Sequence, residues 1–162
     1  ENMGVPQKRH RVIFIATRLE VDLEKIDMSF IFRPIEFGKI KSQDGCKEVT
    51  DNIKELIKYA KYGDRNLENA CLKLRNKSSF FNYCFVYDNQ VAPTITAHCN
   101  NIRWDNKCFL SKHDIVAIST FPQDYNFLSD NVDNVSYVCG MSVPPIMIKR
   151  IAEKLKPYLM KE

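Results

Sequence analysis

Short apolar runs alternate along this chain with polar stretches rich in Lys, Asn and Asp, and the spacing of the apolar positions changes from segment to segment. Val12-Ile13-Phe14-Ile15-Ala16 follows a basic loop and is continuous, with β-branched side chains among its residues. Such a run predicts a strand covered on both faces, as at the centre of a parallel or mixed sheet. A strand of that kind needs neighbours and covering helices that 162 residues can hardly supply, so it is expected to belong to a larger sheet. Leu19 to Asp27 is mixed and reads as helix or loop. Ser29 to Pro34 reads as a short edge strand closed by its proline, and Gln43-Asp44-Gly45 as a turn. Behind a cap at Thr50 or Asp51, the residues Ile53, Leu56, Ile57 and Ala60 share one helical face, and Gly63 ends that helix. Leu67, Ala70, Cys71 and Leu74 predict a second helical segment.

Phe80 to Tyr87 is aromatic and β-rich, Asp88-Asn89 makes a turn, and Val91 to Ala97 is extended again, which together predict a hairpin. Ser111 caps a short helix from Lys112 to about Ile118 that leads into Phe121-Pro122. Pro144-Pro145 opens a final helix. On it Val143, Met147, Ile151, Leu155 and Leu159 recur every four residues as one apolar stripe, with Lys149, Arg150, Glu153 and Lys154 opposite. There is no internal repeat, low-complexity tract or Gly/Ser/Pro linker. The pattern is that of an α+β chain.

Composition narrows the class. Apolar residues make up 44% and charged residues 27%, the balance of a soluble globular protein. No apolar run approaches the ~20 residues of a bilayer span. The first residues have neither the basic nor the apolar region of a secretory signal. A cytoplasmic protein with no membrane partner is expected. The abrupt start before Gly-Val-Pro-Gln suggests a fragment or a split gene. Six cysteines (Cys46, Cys71, Cys84, Cys99, Cys108, Cys139) form no CxxC pair and no metal-ligand spacing, so reduced thiols and no metal are expected. A formal charge of +4 permits a polyanion partner without demanding one.

Candidate chemistry sits in three separated segments. In Gln7-Lys8-Arg9-His10-Arg11, extended geometry puts Gln7, Arg9 and Arg11 on one face and Lys8 and His10 on the other. Two guanidinium groups ~7 Å apart would make an anchor for anionic or carbonyl oxygens. Taken alone, the segment is more often a solvated basic turn. The second segment is Phe121-Pro122-Gln123-Asp124-Tyr125, and the third is Gly140-Met141-Ser142-Val143-Pro144-Pro145.

In this order and spacing the three segments resemble the closing motifs of the DNA (cytosine-5) methyltransferases. Gly4-Val5-Pro6-Gln7 through Arg11-Val12 is similar to the eighth motif, whose final arginine contacts the flipped cytosine. The resemblance makes Arg11 the target-base residue, supported by Arg9 and Gln7. Asp114 to Tyr125 resembles the ninth motif. Its ending matches, whereas Lys112-His113-Asp114 replaces Pro-Arg-Glu. The third segment resembles the tenth motif, which packs beside S-adenosylmethionine. Met141 replaces its usual asparagine, leaving Ser142 and the Val143 backbone as the carried-over cofactor contacts.

Thr94 and Ile95 resemble the Thr-Leu/Ile pair of the family's target recognition domain. Asn100, Asn101, Arg103 and Gln90 are candidate readers of base edges nearby, although an exposed polar loop reads equally well. The Pro-Cys nucleophile loop, the Glu-Asn-Val acid and the Phe-x-Gly-x-Gly cofactor turn are missing from this sequence.

The resemblance therefore implies the DNA-recognition half of a cytosine-5 methyltransferase. Residues 1–18 would close an α/β S-adenosylmethionine-dependent catalytic domain, 19–136 form a small mixed recognition domain with the ninth motif, and 137–162 return to the catalytic domain. Double-stranded DNA and an N-terminal catalytic half, in the same polypeptide or separate, are the implied partners. Restriction-modification is the implied setting, and the chain alone is expected to be inactive. The alternatives are a non-catalytic DNA-binding or regulatory subunit derived from such an enzyme and, at lower weight, a tRNA cytosine-5 methyltransferase.

Overall fold

The computed structural model describes residues 2–18, 22–43 and 45–159. Five α-helices and one two-stranded sheet follow in chain order: α1 (Asp51–Ile57), α2 (Glu68–Arg75), β1 (Phe85–Val86), β2 (Ile102–Arg103), α3 (Lys112–Ile118), α4 (Val132–Met141) and α5 (Pro145–Leu159). Short 3-10 turns at Leu23–Lys25 and Phe37–Lys39 precede them. The turn expected around Asp44 and the start of the segment from Leu19 fall on residues outside the described ones.

The helices form where apolar spacing and capping chemistry agree. Ile53 and Leu56 of α1 are buried against Leu67, Ala70 and Cys71, on and beside α2, together with Phe85 and Ile102. Helix α3 begins with a reciprocal cap. The Ser111 hydroxyl accepts from the Asp114 amide at 3.1 Å, and the Asp114 carboxylate accepts from the Ser111 amide at 3.0 Å. Helix α4 was not expected. Asn131 caps it by accepting from the Asp133 amide at 2.8 Å, and Val135, Ser136 and Cys139 face inward. Its inner face joins Phe37, Val86, Ile95, Ile115 and Ile118 in a second core. Gly140 and Met141, expected as a turn, are the last residues of α4.

A third apolar cluster joins the two ends of the described chain. Val5 is buried with Met147 and Ile151 of α5, and Met3, Phe30, Val143 and Leu155 pack around them. The apolar stripe thus faces the opening segment, although it runs out at Leu159, which is exposed.

Several expectations are corrected. Val12 to Ala16 is not a strand, and it is not buried: Val12 is 77% exposed and Phe14 91%. A both-face-covered strand needs ladder partners, and none of the described residues supplies them. Ser29 to Pro34 forms no strand; the Phe32 amide donates to the Asn2 carbonyl at 2.9 Å, and Phe30 packs on the third cluster.

The hairpin over 80–97 is also absent. β1 pairs in parallel with β2, Phe85 opposite Ile102 and Val86 opposite Arg103. Residues after the 88–89 turn run instead to the opening segment, where Gln7 bridges Ala92 in parallel and the Lys8 amide donates to the Ala92 carbonyl at 2.8 Å. Finally, Cys46 and Cys108 are joined in a disulfide, with Cα atoms 6.0 Å apart, where reduced thiols were expected. The fold brings them together because Glu48 bridges Cys108 and the Phe109 amide donates to the Lys47 carbonyl at 3.0 Å.

Candidate functional site

The opening basic segment is built into the molecule by two of its side chains. Gln7 is fully buried: its amide nitrogen donates to the Ile118 carbonyl at the end of α3 (3.1 Å), and its amide oxygen accepts from the Ile95 backbone at 3.4 Å. Arg9, 5% exposed, donates to three carbonyls, those of Ile95 (2.9 Å), Gly140 (2.7 Å) and Ser142 (2.6 Å). Two side chains therefore fasten the first segment to the Thr94-Ile95 segment, to the helix leading into Phe121-Pro122, and to the end of α4. Charged donors on carbonyl acceptors are among the stronger hydrogen bonds, and Arg offers enough of them in a fixed fork to serve three carbonyls at once.

Burial lowers the Arg9 pKa, and the nearby charge of Arg11 lowers it further, while Cys139 works the other way. Burial pushes the Cys139 thiol up to about 11, partly offset by a Ser119 hydrogen bond and by Arg9. This thiol is consequently protonated at neutral pH and is no nucleophile.

Arg11 was expected to share a face with Gln7 and Arg9. Those two share the inner face, whereas Arg11 is exposed and its guanidinium donates to the His10 carbonyl at 2.7 Å.

Thr94 and Ile95 lie directly against the segment. The Thr94 hydroxyl donates to the Lys8 carbonyl, and Ile95 is fully buried in the α3–α4 core. Beside them opens a cleft of about 520 Å³, whose walls include Lys8, Arg65, Tyr87, Gln90, Thr94 and Thr96. Of the other candidate base readers, Gln90 stands in this cleft. Asn100 lines a separate cavity of about 220 Å³ with Asn131 and Asp133.

Asn101 and Arg103 are buried, against the expectation that they face a base. Arg103 is 4% exposed, lies over the Phe37 ring, and pairs with Asp105 and Asp114 at 3.5 Å each. A guanidinium held by two carboxylates in the interior is structural, because withdrawing it would strand a buried charge.

The Gly140–Ser142 turn is tight for a visible reason. A Cβ on Gly140 would overlap the backbone of Thr96 and Ala97, so only glycine lets α4 approach this segment. The Ser142 hydroxyl donates to the Val138 carbonyl at 2.6 Å, and its own carbonyl receives Arg9. Val143 packs on the third apolar cluster, and Met141 points outward. The Ser142 hydroxyl thus uses its one donor inside the molecule and keeps only its acceptor capacity. Sequence reasoning also missed Asp114 as the hub that caps α3 while accepting from Arg103 and from the Ser42 amide at 3.0 Å. The Ser-x-x-Asp spacing of a capping box was its signal.

Among the described residues no group of three or more His, Cys, Asp or Glu is placed to hold a metal ion, and no helix is long and apolar enough to cross a membrane. A family model described as C-5 cytosine-specific DNA methylase matches residues 37–157, well over half of the chain. No curated protein and no solved structure matches it.

Proposed function

This chain belongs to the C-5 cytosine-specific DNA methylase family, and from that premise we propose that it is the DNA-recognition half of such an enzyme. The observation that carries the reading is the set of bonds from Gln7 and Arg9. They hold together four segments: the basic opening, the Thr94-Ile95 pair, the end of α3 and the Gly140–Ser142 turn. The matched span begins at residue 37, so the opening segment is tied to it by these contacts. Residues up to about 18 and from 137 onward would face the catalytic half, and the part between would be the recognition domain.

Roles divide by exposure. Gln7 and Arg9 are positioning residues, because both are consumed by internal carbonyl and amide groups. Arg11 is the residue offered to the target base, exposed and bonded only to its neighbour's carbonyl among the described contacts. A base must leave the duplex before its ring can be attacked. Negative charge then gathers on the ring when a thiolate from the catalytic half adds to it. A fixed cation at that point stabilises the transition state more than the ground state. Thr94 and Gln90 stand on the DNA side. S-adenosylmethionine supplies the methyl group in the assembled enzyme and would be bound mainly by the catalytic half, with Ser142 and the Val143 backbone beside it.

The exposed Val12 to Ala16 run supports docking onto that half, because an apolar segment with unpaired backbone groups is completed by an adjoining sheet. The setting we propose is intracellular restriction-modification.

The test is methyl transfer to duplex DNA from radiolabelled S-adenosylmethionine. The chain alone should transfer nothing, and the chain joined or mixed with a catalytic half should transfer methyl. Arg11→Ala should cut that rate roughly 100-fold or more, as loss of one preorganised charge-stabilising group does, without weakening association of the halves. A reconstituted pair that methylates no DNA, or an Arg11→Ala pair with undiminished rate, overturns the reading.

A further inference from the structure

The cleft beside Thr94 carries two cations, Lys8 and Arg65, whose head groups make no hydrogen bond or ion pair among the described residues, and no acidic residue lines it. Some other cations are paired: Lys41 with Asp88 and Asp105, Arg103 with Asp105 and Asp114, Lys112 with Asp130.

Both cleft cations stand on immobilised backbone. Lys8 is held by its amide on the Ala92 carbonyl and by the Thr94 hydroxyl on its own carbonyl. The loop bearing Arg65 is fixed at three consecutive residues. The Gly63 amide donates to the Tyr87 hydroxyl at 3.0 Å, that hydroxyl donates to the Asp64 carbonyl at 2.7 Å, and the Phe85 amide donates to the Arg65 carbonyl at 3.0 Å. Gly63 allows this path, with φ at +94°. The chain thus spends three bonds on presenting an arginine over an open cleft. Presentation on a fixed backbone lowers the ordering cost of binding.

We infer that Lys8 and Arg65 grip the phosphate backbone of the bound DNA strand in the cleft that contains Thr94. This deepens the recognition reading and rests on it. Two cations in a cleft lined by no carboxylate suit phosphate oxygens, which fix register and orientation without reading sequence. Base reading is left to neutral groups at the same cleft, Gln90 among them.

The experiment is a binding titration of the chain with a short labelled duplex of mixed sequence, between about 50 and 200 mM salt. Lys8→Ala and Arg65→Ala should each reduce the slope of log affinity against log salt by about 0.9, which corresponds to about eightfold weaker binding near 0.1 M salt. Arg65→Lys should restore the slope, and Lys112→Ala, outside the cleft, should leave it unchanged. Circular dichroism melting of each variant separates loss of contact from loss of fold.

Wild-type binding with the slope unchanged in both alanine variants overturns the clamp alone. So does a Lys112→Ala loss as large as theirs, or a base preference altered at unchanged slope. A wild-type chain that binds no duplex DNA overturns the recognition reading, and the clamp falls with it.

Discussion

Arg9 contributes more to this molecule than any other polar side chain. It is buried among three carbonyl acceptors from two regions more than 80 residues downstream. Removing it would leave the buried Ile95 carbonyl and the half-buried Gly140 and Ser142 carbonyls without that partner, and an unmet buried acceptor costs more than a hydrogen bond gains. Arg9→Met should therefore lower unfolding free energy by about 3 kcal/mol, read as a drop in the urea midpoint. Arg9→Lys should recover only part of this, because one ammonium cannot reproduce the planar fork. Equal stability of Arg9→Met and wild type would show that the three carbonyls find other donors.

Residue type and local spacing said that Gln7, Arg9 and Arg11 belong together. Which of them turns inward was not legible, because each inner partner lies far away in sequence. For the same reason Asn101 and Arg103 looked like surface readers. Nothing local announces that two carboxylates, Asp105 and Asp114, enclose one guanidinium.

At the scale of elements, the helices whose apolar spacing is self-contained were legible: α1, α2, α3 with its Ser111 cap, and α5 behind its paired prolines. Helix α4 was hidden because its C-terminal residues Gly140 and Met141 look like a turn when read with Ser142 to Pro145. Its inward positions, Val135 and Cys139, do carry helical spacing. The junction itself is sharply constrained. Gly140→Ala places a methyl group into the Thr96 and Ala97 backbone, which cannot swing aside as a side chain tip would. The expected cost is about 3 kcal/mol, the upper part of the overpacking range, measurable as a lowered melting temperature. An Ala variant that melts with wild type would mean that the α4 end and the 96–97 segment are not held together in solution. The β1–β2 pair was the opposite case. Two residues on each side, paired in parallel across sixteen intervening positions, leave no periodic trace in sequence.

For the whole molecule, both described ends lie on one side, joined by Val5, Met147 and Ile151. The same region shows apolar groups to solvent, with Val12, Phe14, Ile31 and Ile148 all exposed. Scattered surface apolar residues need no explanation, but a five-residue apolar run with unpaired backbone does. Replacing Val12 and Phe14 together by Ser should leave the chain's own stability within about 0.5 kcal/mol, as exposed positions do. The same change should weaken association with a catalytic half at least tenfold, measured by co-purification or titration. A large loss of stability in the isolated chain, or undiminished association, would remove the docking role.

The amino-acid sequence alone determined the short-range features: that α1, α2, α3 and α5 coil into helices, that Ser111 caps α3, and that the chain resembles one family. These depend on neighbours within a few residues, and a linear string contains that information. Tertiary structure decided which polar groups remain exposed, which thiols meet, and whether the Val12–Ala16 run is covered. Those outcomes depend on burial and on partners tens of residues apart, and burial is a property of the packed chain rather than of any segment in it.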